Sequence, residues 1–148
     1  MNKRIITEIV INASREKVWD ILTGFHHYPS WNPFIIRIDG ELAKGKRLTN
    51  TLFNGKKTFV FRPRVLSVVP YQYFDWLGSL FMRGLFDGHH YFEIEELAPS
   101  QVKLIQGEHF SGLLSSYILK KIGEDTRSSF VMMNRAVKAL AENRISIG

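Results

Sequence analysis

Cysteine is absent from the chain, so disulfides and thiolate chemistry are excluded at once, in keeping with a reducing compartment. Long apolar runs are missing too: no stretch approaches the roughly 18 consecutive apolar residues that read as a membrane span. The start, Met-Asn-Lys-Arg, is basic, yet Glu8 interrupts the apolar run behind it, which predicts a first strand in place of a signal peptide. The expected location is the cytoplasm. Between Gly78 and Gly88 no phosphate-cradling glycine pattern leads into a helix. Ser111, Ser115 and Ser116 lie near His109 without a nucleophile-elbow sequence or a separate acid partner, so a serine hydrolase is not indicated. His26 with His27 and His89 with His90 are adjacent pairs, and neighbours on a strand point to opposite faces, so neither pair readily clamps one ion. No metal and no other cofactor is expected.

Acidic charge is in deficit: 20 Lys and Arg against 14 Asp and Glu leave a formal net charge of +6. That balance suits an anionic partner. Lys44, Lys46, Arg47, Lys56, Lys57, Lys120 and Lys121 nevertheless fall in expected turns or at helix ends, where solvated cations are normal. No stripe of aromatics interleaved with basic residues marks a base-stacking platform. Nucleic acid is therefore not an expected partner, whereas transient contact with an anionic membrane is compatible with the surface.

Aromatic residues are in surplus. Eleven Phe, five Tyr and three Trp make 13% of 148 residues, more than the core of one domain this size usually needs, and such an excess can line a pocket. At this length folding buries about 68 to 70% of the unfolded surface without help from a metal. The organising stretch is residues 112–143. Thr126, Phe130, Met133, Val137 and Leu140 recur at helical spacing on one stripe, with Arg135, Lys138 and Glu142 opposite. Leu114, Ile118 and Ile122 carry a stripe upstream, so the run could reach about 45 Å. Gly123 interrupts it at a cost of roughly 1 kcal/mol relative to Ala, and a bend or two helices in series is compatible there.

Residues 3–12 are β-branched and read as a strand. Ser14 offers an N-cap, Glu16 charges the first turn, and Val18, Trp19, Ile21 and Leu22 form the apolar side of a short helix ending near Gly24. Pro33 denies Asn32 the helical region and turns the chain toward extended structure. Strands are expected over 34–40, 47–53, 57–69, 71–78, 86–96 and 101–110, with short links that favour antiparallel neighbours. The class is α+β: a bent antiparallel meander covered on one face by the long helix, with a cavity between.

If the tight loop at 98–100 sets the register, Ile94 lies opposite Leu104, Phe92 opposite Gln106 and His90 opposite Glu108. An imidazole then sits beside a carboxylate on the inner face. Phe74 groups with Trp76, and Phe59 with Phe61. Arg62 and Arg64 flank Pro63 on one face; directed inward, one would meet Glu108 or a ligand carboxylate.

These residues resemble a known family. Ile11 and Ala13 precede Val18-Trp19; Tyr28-Pro29 and Trp31-Asn32-Pro33 follow; then come Gly40, Leu42, Gly45 and Leu48, and Phe61, Pro63, Val65, Val69 and Pro70. Trp76, His90, Phe92, Gln106, Glu108, Phe110 and Gly112 continue the series, which closes with Phe130, Met133-Asn134, Leu140 and Glu142. In that order they are similar to the polyketide cyclase/dehydrase and lipid-transport branch of the START-like (SRPBCC) superfamily. The resemblance implies a helix-grip fold over residues 1–148: one ligand-binding domain, a seven-stranded curved antiparallel sheet around a long C-terminal helix, with two short helices after strand 1. No motif here identifies the cyclase group within it.

The expected function is binding, transport or sensing of a small hydrophobic or amphipathic molecule, without catalysis, by a monomer or homodimer. Candidate ligand-binding residues are Trp31, Phe34, Phe59, Phe61, Phe74, Trp76, His90, Phe92, Gln106, Glu108, Phe110, Tyr117 and Met133. One alternative is a cyclase, dehydrase or isomerase in which His90, oriented by Glu108, moves a proton. Against it, the pair would simply satisfy each other, or Gln106 and Tyr117, as a buried polar cluster; this plainer reading carries more weight because members of differing activity share both positions. A second alternative is a partner-binding module acting through its basic surface. Leu80, Phe81 and Met82 belong to a hairpin tip that either folds back on the core or forms a flap at the cavity mouth.

Overall fold

The computed structural model describes residues 3–80 and 82–143. Strand β1 (Arg4–Ile11) turns Ile5, Thr7 and Ile11 inward at alternate positions. Helix α1 (Arg15–Thr23) starts at the expected cap, where the Ser14 hydroxyl accepts from the Lys17 amide at 3.2 Å. A 3-10 turn (Phe25–His27) and the single-turn α2 (Tyr28–Trp31) follow. Asn32 then redirects the chain, its Oδ1 accepting from the amides of Phe34 and Ile35 at 2.9 Å each. The remaining strands are β2 (Ile35–Asp39), β3 (Thr49–Phe53), β4 (Thr58–Phe61), β5 (Arg64–Val69), β6 (Tyr73–Leu80), β7 (Phe86–Ala98) and β8 (Gln101–Ser111), and helix α3 (Ser115–Ala141) ends the described fold.

The α+β class and the long terminal helix match expectation; the strand count does not. Among the described residues eight strands form two antiparallel sheets, β1-β8-β7-β6-β5 and β2-β3-β4, where seven strands in one sheet were expected. The cause is Pro63. Having no amide hydrogen, it breaks the strand expected over 57–69 into β4, which pairs with β3, and β5, which pairs with β6. Its carbonyl instead accepts from the Leu48 amide at 2.9 Å, a cross-link between the two sheets. The β7–β8 register is the one expected: Ile94 faces Leu104, Phe92 faces Gln106 and His90 faces Glu108.

Phe130, Met133, Val137 and Leu140 of α3 are buried, as the stripe requires. The helix runs unbroken through Gly123, so 27 residues span about 40 Å. Its first turns differ from expectation: Leu119 is buried, whereas Leu114 and Ile122 are exposed. Gly112 carries the entry to the helix at φ +107°, and a Cβ there would lie 2.5 Å from the Leu85 carbonyl oxygen, so no larger residue fits that turn. Lys138 and Glu142, expected on the solvent side, hold the helix to β1. Lys138 Nζ donates to the Val10 carbonyl (2.8 Å) and to Glu142 (2.7 Å), which also accepts from the Asn12 amide (2.7 Å).

Phe130 is fully buried, with its ring 4.9 Å from His90 and 5.5 Å from Phe34. Phe130→Ala should therefore cost about 3 to 5 kcal/mol in denaturant unfolding; a loss under about 1 kcal/mol would show that α3 does not grip the sheet through this residue.

Candidate functional site

A chain of polar side chains runs through the contact between sheet and helix. The Thr7 hydroxyl donates to the Gln106 carbonyl at 2.8 Å and accepts from Asn134 Nδ2 at 2.9 Å. Asn134 Oδ1 in turn accepts from Gln106 Nε2 at 2.8 Å, and that same amide group donates to the Phe130 carbonyl at 3.4 Å. Backbone carbonyls can only accept, so they fix the direction of every bond along the chain. Gln106 Oε1 is thereby left as an acceptor toward His90 Nε2 at 3.0 Å, which requires the hydrogen on Nε2. The other ring nitrogen, Nδ1, meets Glu108 Oε1 at 3.3 Å. A hydrogen on either Nδ1 or Oε1 makes that contact a hydrogen bond. The His90 ring is stacked on Trp76, 5.5 Å between centroids, and edge-on to Phe130, so it has little freedom to turn.

Glu108 owes its pose to Gly88 on the neighbouring strand. A Cβ at Gly88 would lie 2.0 Å from Glu108 Oε2, so the carboxylate rests directly over the glycine. Beside this pair is a cavity of about 180 Å³ between the β2–β4 sheet, the ends of β6, β7 and β8, and the middle of α3. Phe34, Phe59, Phe61, Trp76, Phe86 and Phe110 supply aromatic wall; His90, Glu108, Asn50, Asp125, Thr126 and Ser129 supply polar groups. Phe53, Phe59 and Ile122 line it and are also part exposed, which places the mouth between the β3–β4 hairpin and α3.

Of the candidate residues, Phe34, Phe59, Phe61, Trp76, His90, Glu108 and Phe110 meet at this cavity. Phe74, Phe92, Gln106 and Met133 are buried behind that wall in the core. Trp31 packs edge-on against Tyr28 at 5.1 Å, and Tyr117 is 61% exposed under the Lys121 ammonium, both away from the cavity lining. Tyr117 therefore takes no part in the His90 network. Ser79 and Leu80 line the cavity and Met82 is exposed, while Phe81 lies outside the described residues. Arg62 and Arg64 both point outward, Arg64 donating to the Gly45 carbonyl at 2.8 Å.

Sequence reasoning missed Asn50, Phe86, Asp125, Thr126 and Ser129 at the cavity wall, and Thr7 and Asn134 in the network behind it. Asn50 on β3 alternates with Leu52 and with Leu48 just before the strand, a polar residue at period two between apolar ones, which is the pattern of an inward side chain. Asn134 shares the Phe130–Val137 stripe, and Thr7 the inner face of β1. On the outer face, His89 Nε2 and the Tyr73 hydroxyl both meet Asp75 Oδ2, at 2.7 and 2.8 Å. Burial and then this hydrogen bond push the Tyr73 phenol well above its usual range. His109 titrates lower than an ordinary histidine because of burial, with the Arg4 and His89 charges adding to it. His89 and His90 thus serve opposite faces. Among the described residues no group of three or more His, Cys, Asp or Glu is arranged to hold a metal, and no helix is long and apolar enough to cross a membrane.

The sequence profile of the family described as polyketide cyclase / dehydrase and lipid transport matches residues 3–142, and the chain belongs to that family. Among curated proteins no match was found. Solved structures share the fold. The Zhui aromatase/cyclase from Streptomyces sp. R1128 superposes with a TM-score of 0.78 at 13% identity, covering 97% of this chain and 95% of that one. A START superfamily protein from Mycobacterium smegmatis gives 0.73 at 19% identity, with 96% and 99% covered. The Helicobacter pylori hypothetical protein jhp0584 gives 0.78 at 15% identity, with 95% and 89% covered. At these identities the likeness is one of fold.

The network makes a definite statement about His90. In a ¹⁵N-labelled sample its Nε2 should carry the hydrogen throughout the pH range in which the fold persists, and Gln106→Leu should release that preference; a ring protonated at Nδ1 alone would contradict the assignment.

Proposed function

We propose that the protein binds one small, mostly apolar molecule in the space between its two sheets and α3. The observation that carries this reading is the cavity, about 180 Å³ and walled largely by Phe and Trp. An engineered apolar cavity of about 150 Å³ takes benzene, and drug-sized ligands occupy about 300 Å³ or more, so the fitting molecule has one or two rings or an equivalent chain. Membership of a family whose description includes lipid transport supports the same reading. Loading from an anionic membrane fits the surface beside the β6–β7 turn. There Met82, Leu113, Leu114 and Tyr117 are exposed next to Arg83, Lys120 and Lys121, and the Leu113 amide ties the two turns together through the Gly84 carbonyl at 3.0 Å.

The test is a neutral fluorescent probe of two rings, 1-naphthylamine. Wild-type protein should bind it in a 1:1 ratio, and Thr126→Trp, which places an indole in the cavity, should weaken binding at least tenfold while thermal unfolding stays cooperative. Equal binding by both proteins would place the ligand elsewhere.

One observation favours a second reading, acid-base catalysis on a ketone-bearing ligand. His90 and Glu108 are in hydrogen-bond reach and both line the cavity. If they act so, exchange of the hydrogens α to the carbonyl of 2-tetralone into D₂O should accelerate with wild-type protein and fall about 10²-fold or more with Glu108→Gln. Exchange no faster than in buffer removes the catalytic reading and leaves binding.

A further inference from the structure

His90 and Glu108 line one cavity, but they do not reach it alike. His90 is 5% exposed and both its ring nitrogens are engaged, Nε2 with Gln106 Oε1 and Nδ1 with Glu108 Oε1. Stacked on Trp76 and edge-on to Phe130, the ring can show the cavity only carbon. Glu108 has an oxygen left over. Its Oε1 meets His90, whereas Oε2 has no hydrogen-bond partner among the described residues, and the side chain is 18% exposed. The place of Oε2 is set by Gly88, which lines the same wall. A Cβ at position 88 would stand 2.0 Å from Oε2 and 3.0 Å from the carboxyl carbon. Non-bonded atoms need about 3.5 Å, so the carboxylate occupies the space that any side chain at 88 would take. The three atoms nearest to that Cβ all belong to the Glu108 side chain, so an alanine there would be accommodated by moving this flexible group.

Resting on the acid-base reading above, we infer that Glu108 is the catalytic residue and acts through Oε2, that His90 is a positioning residue, and that Gly88 is the seat that makes Oε2 available. The hydrogen of the His90–Glu108 contact then lies on Nδ1 and Glu108 is ionised. At a ketone the step balances within the site: the C–H bond α to the carbonyl breaks, an O–H bond forms at Oε2, and the electron pair moves onto the carbonyl oxygen. The Trp76 indole N–H and the Asn50 side-chain amide, on the same wall, are donors for that oxygen. Return of a hydrogen from Oε2 to the same carbon completes an exchange. His90 contributes by holding Oε1, so that the carboxylate stays over Gly88, and Gln106 holds His90 in turn.

Exchange of the α hydrogens of 2-tetralone into D₂O, followed in four variants beside wild type, separates the roles. Gly88→Ala should lower kcat about tenfold or more, with KM changed less than about threefold and thermal unfolding still cooperative, because only the carboxylate has been displaced. His90→Gln, whose amide still donates to Oε1, should keep at least about tenfold more exchange than His90→Leu, which offers no donor. Gly88→Ala exchanging within about twofold of wild type would overturn the inference. So would His90→Gln and His90→Leu both as inactive as Glu108→Gln, since the imidazole would then carry the proton itself. If the His90 variants do not fold, Gly88→Ala alone decides. Wild-type protein that exchanges 2-tetralone no faster than buffer would instead overturn the acid-base reading beneath it.

Discussion

Pro63 has no amide hydrogen to give to a neighbouring strand, and the shape of the molecule follows from that deficiency. The chain leaves β4 for β5 there, the sheet divides, and the three strands β2–β4 stand apart from the five-stranded sheet. Gly78 on β6 lets the bend come close: a Cβ at that position would lie 3.2 Å from the Pro63 Cβ. One helix cannot fill the angle between two sheets. Phe130 and Met133 close its inner end, while farther out α3 offers Ile122, Thr126 and Ser129, too short to reach the aromatic rings opposite. The cavity is what remains.

A second constraint decides what the cavity can do. Packing α3 onto β1 and β8 buries Thr7, Gln106 and Asn134, and burial of polar groups is tolerated only when their hydrogen bonds are made inside. The three satisfy one another and two backbone carbonyls, and the one acceptor left over is met by His90. A network whose direction is set by the backbone therefore reaches the cavity wall as a histidine of fixed tautomer facing a carboxylate. The same arrangement serves stability, through the grip of the helix, and sets His90 and Glu108 side by side at the cavity wall. Binding and acid-base chemistry need the same side chains in the same places, which is how one fold can support both.

Much of this was legible in the sequence, for physical reasons that can be named. The stripe from Phe130 to Leu140 marked the buried face of α3, because helical spacing leaves little choice. The tight loop expected at 98–100 set His90 opposite Glu108; the turn itself is two residues, Ala98 facing Gln101, and a register shift between Glu96 and Ala98 restores the expected facing. Pro63 stood inside the strand expected over 57–69, but whether a proline bends one strand or splits two depends on partners far away in the chain, and the strand count came out one short. Lys138 and Glu142 read as solvent-facing because helical position reports the direction of Cβ and not where a long flexible stem ends. Tyr117, read as a possible partner of His90 and Glu108, is exposed on the first turn of α3; Asn50 was passed over although its alternation with Leu48 and Leu52 pointed inward. Local pattern thus identifies faces well and identifies which faces meet across a gap poorly.

Charge separates along the same lines as shape. Many of the cations stand on turns and helix ends, where water solvates them, and no Lys or Arg is among the described residues that line the cavity. Everything argued about ligand choice depends on that space being hollow. Diffraction from crystals held under xenon pressure tests this directly, since xenon enters apolar voids without needing a matched ligand. The account predicts xenon density between Phe61, Trp76, Phe110 and Thr126 with the surrounding side chains unmoved. Absence of density there, with Phe59 and Phe61 turned in to fill the space, would contradict it.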